Sequence, residues 1–599
     1  MKIRYALGTA GLLFALAGCN LDIQMYDGVT AEDVTVRNFK ELSQGTYRLL
    51  KNDGGLIDNG YSFWAYGGDD LSWGGTSTDP KYKDYDYGRS ITSSSTEYTW
   101  ELGYRTIGNC NKIIEMGAEL GEAITPDERV MMGENYYLRA LCYFLLVNEF
   151  AQPYSNNPTQ NPGLPLKLNS DPNDLPESRS TVAEVYDQVV ADLLDAIDYM
   201  DLTDGLVPHP EDAACYASKE AAQALLARVY LYMENWEGAY QMADAVIKSG
   251  RFELLQGENY DRYPQHVPEE NSETIFAVRR VELMDDGSYS RPGGLYFRVD
   301  NQGWEELYAS APYLKLLELY LDDDGYPMDR RSNFITKRYV EDEGADMYPT
   351  NSTIRRDYQE WTFVYDYLLP NTANYVYEQI NVTRQADGTW VMSDADATQF
   401  TSTTIQSEPY NLGTRYYVTT TDGTKYIGRI EPRVYDAATL RQKSADYLVY
   451  AINKFSYQEQ YFHLNSPVIS RLAEMYLIRA EVSAVRGNVQ EALDDVNVLR
   501  RRAGIPEWTV ANMQTAEAGQ PKDINKIVEE ERMLELAWEG HRRFDIFRRR
   551  QTLDRRYPGG HTLTEGNRFW EVNYNDPAVC EYIPQAQYDA YPYELEQNP

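Results

Sequence analysis

The chain has 599 residues, of which 43% are hydrophobic, so it can form a core and is not a disordered acidic tail. Its 56 basic and 93 acidic residues give a net charge of −37, which opposes binding to nucleic acid or to anionic lipid. The unusual count is aromatic, with 51 Tyr, 10 Trp and 16 Phe. Because a buried tyrosine hydroxyl needs a hydrogen-bond partner, we expect many of these rings at surfaces or in partly open sites.

An apolar stretch near the start of the chain ends at Cys19. It follows basic residues and is shorter than the roughly 20 residues that span a bilayer, so it predicts a secretory signal peptide over residues 1–18. Residues 16–19 read Leu-Ala-Gly-Cys, which resembles a bacterial lipobox. That resemblance implies acylation of Cys19 and a lipidated tether over residues 19–35. A conventional signal peptide that contains a cysteine is the alternative.

Four further cysteines are widely spaced along the chain. Their spacing fits neither a zinc cluster nor a disulfide framework. We therefore expect buried free thiols, with one disulfide in an oxidising compartment as the alternative, at Cys110, Cys142, Cys215 and Cys580.

Helical periodicity begins near residue 36 and is then interrupted. Residues 52–99 are rich in Gly, Asp, Ser, Tyr and Trp, which predicts a long irregular loop, and such loops often carry function. Helical patterns return in three segments, over residues 98–116, 134–151 and 181–200. At the start of the third, Thr181 and Glu184 predict a capping box.

Two later segments, residues 218–251 and 471–505, each predict a pair of helices. Both pairs carry two alanines twelve residues apart, which are Ala227 and Ala239, then Ala480 and Ala492. This spacing resembles the tetratricopeptide repeat, in which small residues let antiparallel helices approach closely.

The residues between and after these pairs differ in character. Residues 252–464 predict an irregular subdomain with short strands, including a hairpin that turns at Asp422-Gly423. Residues 530–549 predict one charged helix, whose ion pairs we expect to hold helices together. Its charged residues are Glu531, Arg532, Glu535, Glu539, Arg542, Arg543 and Asp545. The acidic turn at 321–326 fails the EF-hand pattern, since Arg331 stands at the twelfth position, so we predict no metal site.

In this order the motifs resemble the SusD/RagB family of surface lipoproteins of Gram-negative bacteria. The resemblance covers nearly the whole mature chain, and the segments that carry it are the lipobox and residues 137–154, 218–251, 471–505, 527–549 and 597–599. It implies a mainly α fold of about four tetratricopeptide-like helix pairs over residues 36–599. The scaffold would occupy about 36–251 and 465–550, with the loop-rich subdomain over about 252–464.

The same resemblance implies a function. Members of the family are non-enzymatic lipoproteins on the outer face of the outer membrane that use no cofactor. They bind an oligosaccharide and deliver it to a SusC-like TonB-dependent transporter. We expect the same ligand, partner and location for this chain.

A glycan site needs flat aromatic platforms beside planar hydrogen-bonding groups. One stretch mixes both, and its candidates are Trp64, Tyr66, Asp69, Asp70, Trp73, Tyr82, Tyr85, Tyr87 and Arg89, with Trp73 as the best platform. Asp69-Asp70 is either a structural turn or a support for the site. A second group of candidates is Tyr296, Arg298, Asn301, Trp304 and Tyr308, and a third is Trp361, Tyr365 and Tyr367. The tryptophans on apolar helix faces are expected in the core: Trp100, Trp236 and Trp538.

Three alternatives remain open. They are a family member that captures peptides, a tetratricopeptide scaffold that binds protein tails, and a surface glycosidase with two carboxylates. With 93 acidic residues, carboxylate pairs are unavoidable and decide nothing. The sequence contains no nucleophile elbow, HExxH motif or phosphate-binding loop, and only five His, so we predict no enzymatic activity.

Overall fold

The computed structural model describes residues 38–51, 56–74, 81–201, 213–281, 292–297, 303–322, 327–337, 361–368, 375–410, 413–432, 450–515, 521–557 and 571–599. The predicted signal peptide, the tether and Cys19 lie outside these residues, and so do Arg298 and Asn301. Every helix in the described part is too short or too polar to cross a membrane.

Helices dominate the described part of the chain. They are α1 (Phe39–Lys51), α2 (Leu56–Tyr66), α3 (Tyr82–Asp86), α4 (Ser94–Leu120), α5 (Pro126–Phe150), α6 (Val182–Met200), α7 (Lys219–Tyr232), α8 (Trp236–Lys248), α9 (Gly257–Asp261), α10 (Pro292–Tyr296), α11 (Ala311–Leu317), α12 (Leu472–Val485), α13 (Val489–Ala503), α14 (Ile524–Glu535), α15 (Arg542–Arg548) and α16 (Gln585–Ala590). The predicted capping box of α6 is confirmed, because the Glu184 carboxylate accepts from Thr181 N at 2.7 Å and Thr181 Oγ1 accepts from Glu184 N at 3.2 Å.

Consecutive long helices pack side by side in one array, from α4 through α8 to α12, α13 and α14. The paired alanines Ala227, Ala239, Ala480 and Ala492 are completely buried, as close packing of antiparallel helices requires. The largest hydrophobic cluster lies between α2, α4 to α8 and α12. The predicted mainly α fold with tetratricopeptide-like helix pairs is confirmed.

The loop predicted over residues 52–99 is wrong in part, since it contains α2, α3, a short strand and the start of α4. Gly60 explains why α2 forms in so aromatic a stretch. A Cβ at this position would lie 2.3 Å from the Trp64 ring, so glycine allows that ring to lie flat against its own helix. Burial of Ile57, Phe63 and Trp64 then outweighs the low helix propensity of the sequence.

The single helix predicted over residues 530–549 is also wrong, because a turn separates α14 from α15. Trp538 (φ +65°) and Gly540 (φ +81°) adopt left-handed backbone conformations there. The Asp70 carboxylate accepts a hydrogen bond from Trp538 N at 3.0 Å, and the Trp538 indole donates to Asp70 O at 2.9 Å. A residue more than 450 positions away thus fixes the break.

The predicted ion network is confirmed, and it is buried. Arg331 binds Glu531 at 2.6 Å, and Arg532 binds Asp545 at 3.0 Å. Three further pairs join other elements to α14 and α15. They are Arg471 with Glu535 at 2.6 Å, Arg502 with Glu535 at 2.5 Å, and Arg548 with Glu481 at 2.6 Å. Each charge is compensated by a partner, so the network ties the last helices to the array.

The strands of the described residues form four antiparallel sheets. Their strands are β1 (Leu71–Trp73), β2 (Thr274–Ala277), β3 (Leu307–Ala309), β4 (Ile335–Lys337), β5 (Trp361–Leu368), β6 (Tyr375–Arg384), β7 (Trp390–Met392), β8 (Gln406–Tyr410), β9 (Gly413–Thr419), β10 (Lys425–Pro432), β11 (Tyr450–Ile452), β12 (Val468–Arg471), β13 (Thr552–Asp554) and β14 (Glu571–Asn573). The orders are β1-β3-β11-β4, β7-β6-β5-β10-β9-β8, β12-β2 and β13-β14.

The six-stranded sheet has a hydrophobic cluster of its own around Phe363, Trp390 and Phe400. The predicted hairpin is confirmed, because β9 pairs with β10 and Gly423 (φ +91°) occupies the turn. The predicted subdomain is therefore more regular than expected.

The four described cysteines form no disulfide bond. Cys110, Cys142 and Cys580 are buried and Cys215 is half-buried, which agrees with the expectation of free thiols.

Candidate ligand-binding site

The aromatic candidates of the first predicted stretch lie in the core. Trp73 is 0% exposed, and its ring lies 5.3 Å from that of Tyr82 and 5.9 Å from that of Tyr85. Tyr66 and Tyr87 are also buried, whereas Trp64 keeps 6% of its surface exposed. A ring without an exposed face cannot stack on a sugar, so the structure corrects the interpretation of Trp73 as an open platform.

Backbone carbonyls explain how so many tyrosines are buried. The Tyr87 hydroxyl donates to Gly67 O at 2.7 Å, and the Tyr61 hydroxyl donates to Trp538 O at 2.7 Å. Tyr557 donates in the same way to Leu71 O at 2.6 Å. These three rings depart from the expectation of many rings at surfaces or in partly open sites, because backbone carbonyls accept from their hydroxyls, whereas Tyr98 and Tyr461 are exposed as expected.

Asp69 and Asp70 support the fold around the turn between α14 and α15. Burial raises the pKa of Asp70 to about 6, although the hydrogen bond from Trp538 N lowers it. Burial also raises the pKa of Asp69, but Arg542 outweighs that effect and holds it below its ordinary value. The 2.5 Å pair of Asp69 with Arg542 fixes α15 beside α2. Both aspartates therefore have a structural role, which is the structural alternative of the two that the sequence left open.

Arg89 holds the end of the chain. Its guanidinium donates to Cys580 O at 3.1 Å and to Pro599 O at 2.7 Å. It also lies 4.1 Å from the centroid of the Tyr582 ring. These contacts occupy the donors that the prediction assigned to a ligand.

The second group of candidates is divided. Tyr296 and Tyr308 are buried, and Tyr296 stacks on Phe455 with a centroid distance of 5.4 Å. Trp304 is 43% exposed, and its backbone N donates to Gly294 O at 2.7 Å, next to α10. Trp304 is therefore the candidate of this group whose ring is open to a ligand.

The third group belongs to the six-stranded sheet. Trp361 is half-buried against Trp390, at 5.4 Å between centroids, and Tyr365 is buried. The side chain of Tyr367 lies outside the described part. Of the tryptophans predicted in the core, Trp100 and Trp538 are buried and Trp236 is half-buried against the main cluster.

A pocket with an empty volume of about 740 Å³, open solvent included, lies between α2, residues 263–274 and residues 454–469. Its aromatic walls are Tyr61, Trp64, Tyr263 and Phe455. Its amide and hydroxyl groups come from Asn271, Thr274, Gln458, Asn465 and Ser466. The pocket thus combines flat rings with neutral hydrogen-bonding groups, the combination sought from the sequence. Of the predicted ligand-binding residues that the structure describes, only Trp64 lines this pocket.

Lys454 and Glu539 also line the pocket and bind each other at 2.5 Å. Burial lowers the pKa of Lys454, a shift that the charge of Glu539 opposes. Burial raises the pKa of Glu539, but Arg471 and then Lys454 outweigh it and hold the pKa at about 2. Arg471 also binds Glu273 at 2.7 Å, so these charges compensate one another. In the described residues, no group of three or more His, Cys, Asp or Glu is placed to hold a metal ion.

Sequence reasoning missed this pocket because its walls are distant in sequence. A usable pattern existed in residues 455–463, which read Phe-Ser-Tyr-Gln-Glu-Gln-Tyr-Phe-His. Rings and amides are as dense there as in the stretch around Trp73, but these residues lie within the predicted irregular subdomain and were not among the predicted ligand-binding residues.

Comparison with known proteins gives the family. Residues 272–599 match the sequence model described as "SusD family", and residues 70–231 match one described as "Starch-binding associating with outer membrane". SusD-like protein P25 of Formosa agariphila is 23% identical over 478 residues, which cover 77% of this chain and 71% of that relative.

Solved structures share the fold. A SusD superfamily protein from Bacteroides thetaiotaomicron superposes with a TM-score of 0.67 at 22% identity, covering 94% of this chain and 100% of that one. A putative sugar binding protein from Bacteroides vulgatus gives 0.64 at 19% identity, covering 94% and 98%. Since the first family model matches more than half of the sequence, this chain belongs to the SusD family.

Proposed function

We propose that this protein is a non-enzymatic oligosaccharide-binding lipoprotein of the outer membrane. Acylated at Cys19 and exposed at the cell surface, it captures a glycan and delivers it to a SusC-like TonB-dependent transporter. The observation that carries the proposal is the pocket with four aromatic walls and neutral amide and hydroxyl groups. The description of one matching family as starch-binding and outer-membrane-associated supports it, as does the description of a structural relative as sugar-binding.

The pocket also argues against a glycosidase. Glycoside hydrolysis uses two carboxyl groups on either side of the bond that is cleaved. Glu539 is the carboxylate that lines the pocket, and both of its oxygens accept from Arg471, at 2.8 Å each. A carboxylate held in this way at a pKa of about 2 is a poor general acid or base.

Isothermal titration of the purified protein tests the binding function. Full-length lipoprotein in a detergent without a sugar headgroup is titrated with linear neutral hexasaccharides of glucose, xylose, mannose and galactose, and with peptides. We expect saturable binding of at least one glycan without its breakdown. Binding of peptides alone, or release of shorter sugars, refutes the proposal.

Anchoring and delivery need separate experiments in cells. Metabolic labelling with a fatty acid should disappear in Cys19→Ala, and external protease should degrade the protein in intact cells. The tagged protein should co-purify with a TonB-dependent barrel. Labelling that persists in the variant contradicts acylation at Cys19, and protection from protease contradicts surface exposure. Isolation without a barrel contradicts the transporter partnership.

A further inference from the structure

Residues 580–599, here called the latch segment, lie against α4 and the end of α5. Within this segment α16 packs on α4, and Gln585 N donates to Ile91 O at 2.8 Å. Glu581 N donates to Glu149 O at 2.7 Å, so the latch segment meets the last turn of α5 at these two residues. The side chains of both glutamates are buried. Two carboxyl groups from different elements are therefore enclosed at one contact.

The cations near this contact are occupied by backbone oxygens. Arg543 donates to Phe63 O at 3.2 Å and to Val579 O at 3.0 Å. Burial, followed by the charge of Glu581, raises the pKa of Glu149 well above its ordinary value, and burial followed by Asp84 raises the pKa of Glu581 to about 8. The charged and titratable groups that face the two carboxyls from the surrounding elements are Asp84 and Lys83 of α3, Arg89, Arg543 of α15 and the Cys580 thiol.

The latch segment is held by few buried side chains. Between residues 585 and 599, only Leu595 and Asn598 are buried. The Asn598 side-chain amide donates to Phe150 O at 2.8 Å and to Glu581 O at 2.6 Å, and Arg179 donates to Glu596 O at 2.8 Å. A segment with so few buried contacts opens at a lower free energy than a packed core does.

The helices beneath the latch segment are held more firmly. Cys110 of α4 and Cys142 of α5 lie in the largest hydrophobic cluster, together with most of the buried face of α5. The latch segment contributes only Ile583 and Leu595 to the buried part of that cluster. Ionised carboxyls are costly to bury without a partner. Separation of the latch segment is therefore the least disruptive way to return Glu581 to water.

We propose that residues 580–599 form a pH-sensitive latch, which is closed over α4 and α5 at neutral pH and detaches locally in alkali. While Glu149 and Glu581 hold their protons, they share the buried contact without repulsion. When the protons leave, like charges accumulate beside Asp84, and the latch segment separates while α4 and α5 stay packed. This conformational device does not depend on the proposed function.

Thiol labelling of the full-length lipoprotein, in the detergent used above, tests the latch. Cys580 reports on the latch segment, and Cys110 and Cys142 report on the core, because all three are buried. Labelling is followed by mass spectrometry at pH 6.5 and 9, and each rate is divided by the rate of the same thiol in unfolded protein at that pH.

The expected change follows from the two states of Glu581. Its pKa is about 8 in the closed state and 4.5 when free, so the relative labelling rate of Cys580 should rise about thirtyfold between the two pH values. Cys110 and Cys142 should remain about tenfold or more better protected than Cys580 at both pH values. Glu581→Gln should reduce the rise to below about fivefold. Glu594→Gln, at an exposed position of the same segment, is the matched control and should follow the wild type.

Three outcomes would overturn the latch. The first is a relative rate at Cys580 that does not change with pH. The second is labelling of Cys580 no faster than that of Cys110 and Cys142, since opening would then be global. The third is an undiminished rise in Glu581→Gln, which would assign the pH dependence to another group. The first two are measured on the wild type, so they decide the matter even if the variant does not fold.

Discussion

Glu581 makes the stability of this protein depend on pH in a direction that can be predicted. Its carboxyl is buried, and burial followed by the negative charge of Asp84 raises its pKa from 4.5 to about 8. Three nearby cations lower the pKa of Glu581, but by less than burial and Asp84 raise it. These cations are Arg543, Arg89 and Lys83. The folded protein therefore retains a proton between pH 4.5 and 8 that the unfolded chain releases.

The sign follows from proton binding. Where the folded state binds more protons, the free energy of unfolding decreases as pH rises. The contribution is fully present below pH 4.5 and is lost as pH rises to about 8. A shift of that size corresponds to roughly 5 kcal/mol, at about 1.4 kcal/mol per pKa unit. Glu149, whose pKa burial and Glu581 raise well above its ordinary value, acts in the same direction.

The perturbation is Glu581→Gln, which keeps the shape of the side chain and removes its titration. Urea unfolding at pH 5, 7 and 9 should show that the wild type loses stability with pH faster than the variant. The prediction concerns the slope of unfolding free energy against pH, which should be steeper for the wild type than for the variant, and not the absolute stability of either. Glu594→Gln at an exposed position is the control and should parallel the wild type. Parallel slopes for Glu581→Gln would refute the reasoning.

Three further changes are measured by urea unfolding at pH 7. Arg331→Ala leaves the buried carboxylates of Asp329 and Glu531 without their 2.6 Å partner, and should cost about 3–5 kcal/mol. A cost below 1 kcal/mol would mean that the network is not buried as described. Thr181→Ala removes the cap of α6 and should cost about 1 kcal/mol. Gln460→Gly relieves a left-handed residue and should stabilise by about 0.5–1 kcal/mol, whereas a loss would show that its conformation is unstrained.

Local patterns predicted the helical scaffold well. The start of α6 follows from Thr181 and Glu184 alone, and the helix pairs follow from alanines twelve residues apart. These features depend on contacts within one or two turns or between adjacent helices. Sequence spacing records such contacts directly, so no knowledge of the remaining fold is needed.

The predictions from sequence are wrong where local structure depends on contacts between residues that are distant in the chain. The break before α15 depends on the hydrogen bond between Asp70 and Trp538, and no sequence pattern near Trp538 indicates this bond. Trp73 fails for a related reason. Its neighbours suggest an open loop, but β1 pairs with the distant strand β3, with Trp73 opposite Leu307, and the ring is completely buried. Aromatic composition alone does not distinguish a binding platform from a core.

The position of the pocket explains why its residues are scattered. Lys454 lies near the end of the predicted subdomain, Arg471 directly precedes α12, and Glu539 lies in the turn after α14. Their mutual contacts, at 2.5 Å for Lys454 with Glu539 and 2.8 Å for Arg471 with Glu539, fix all three elements at one point. Because Lys454 and Glu539 also line the pocket, these buried charges fix part of its wall. Under the proposed function, Glu539 therefore couples stability to binding, and the two properties are not carried by separate parts of the chain.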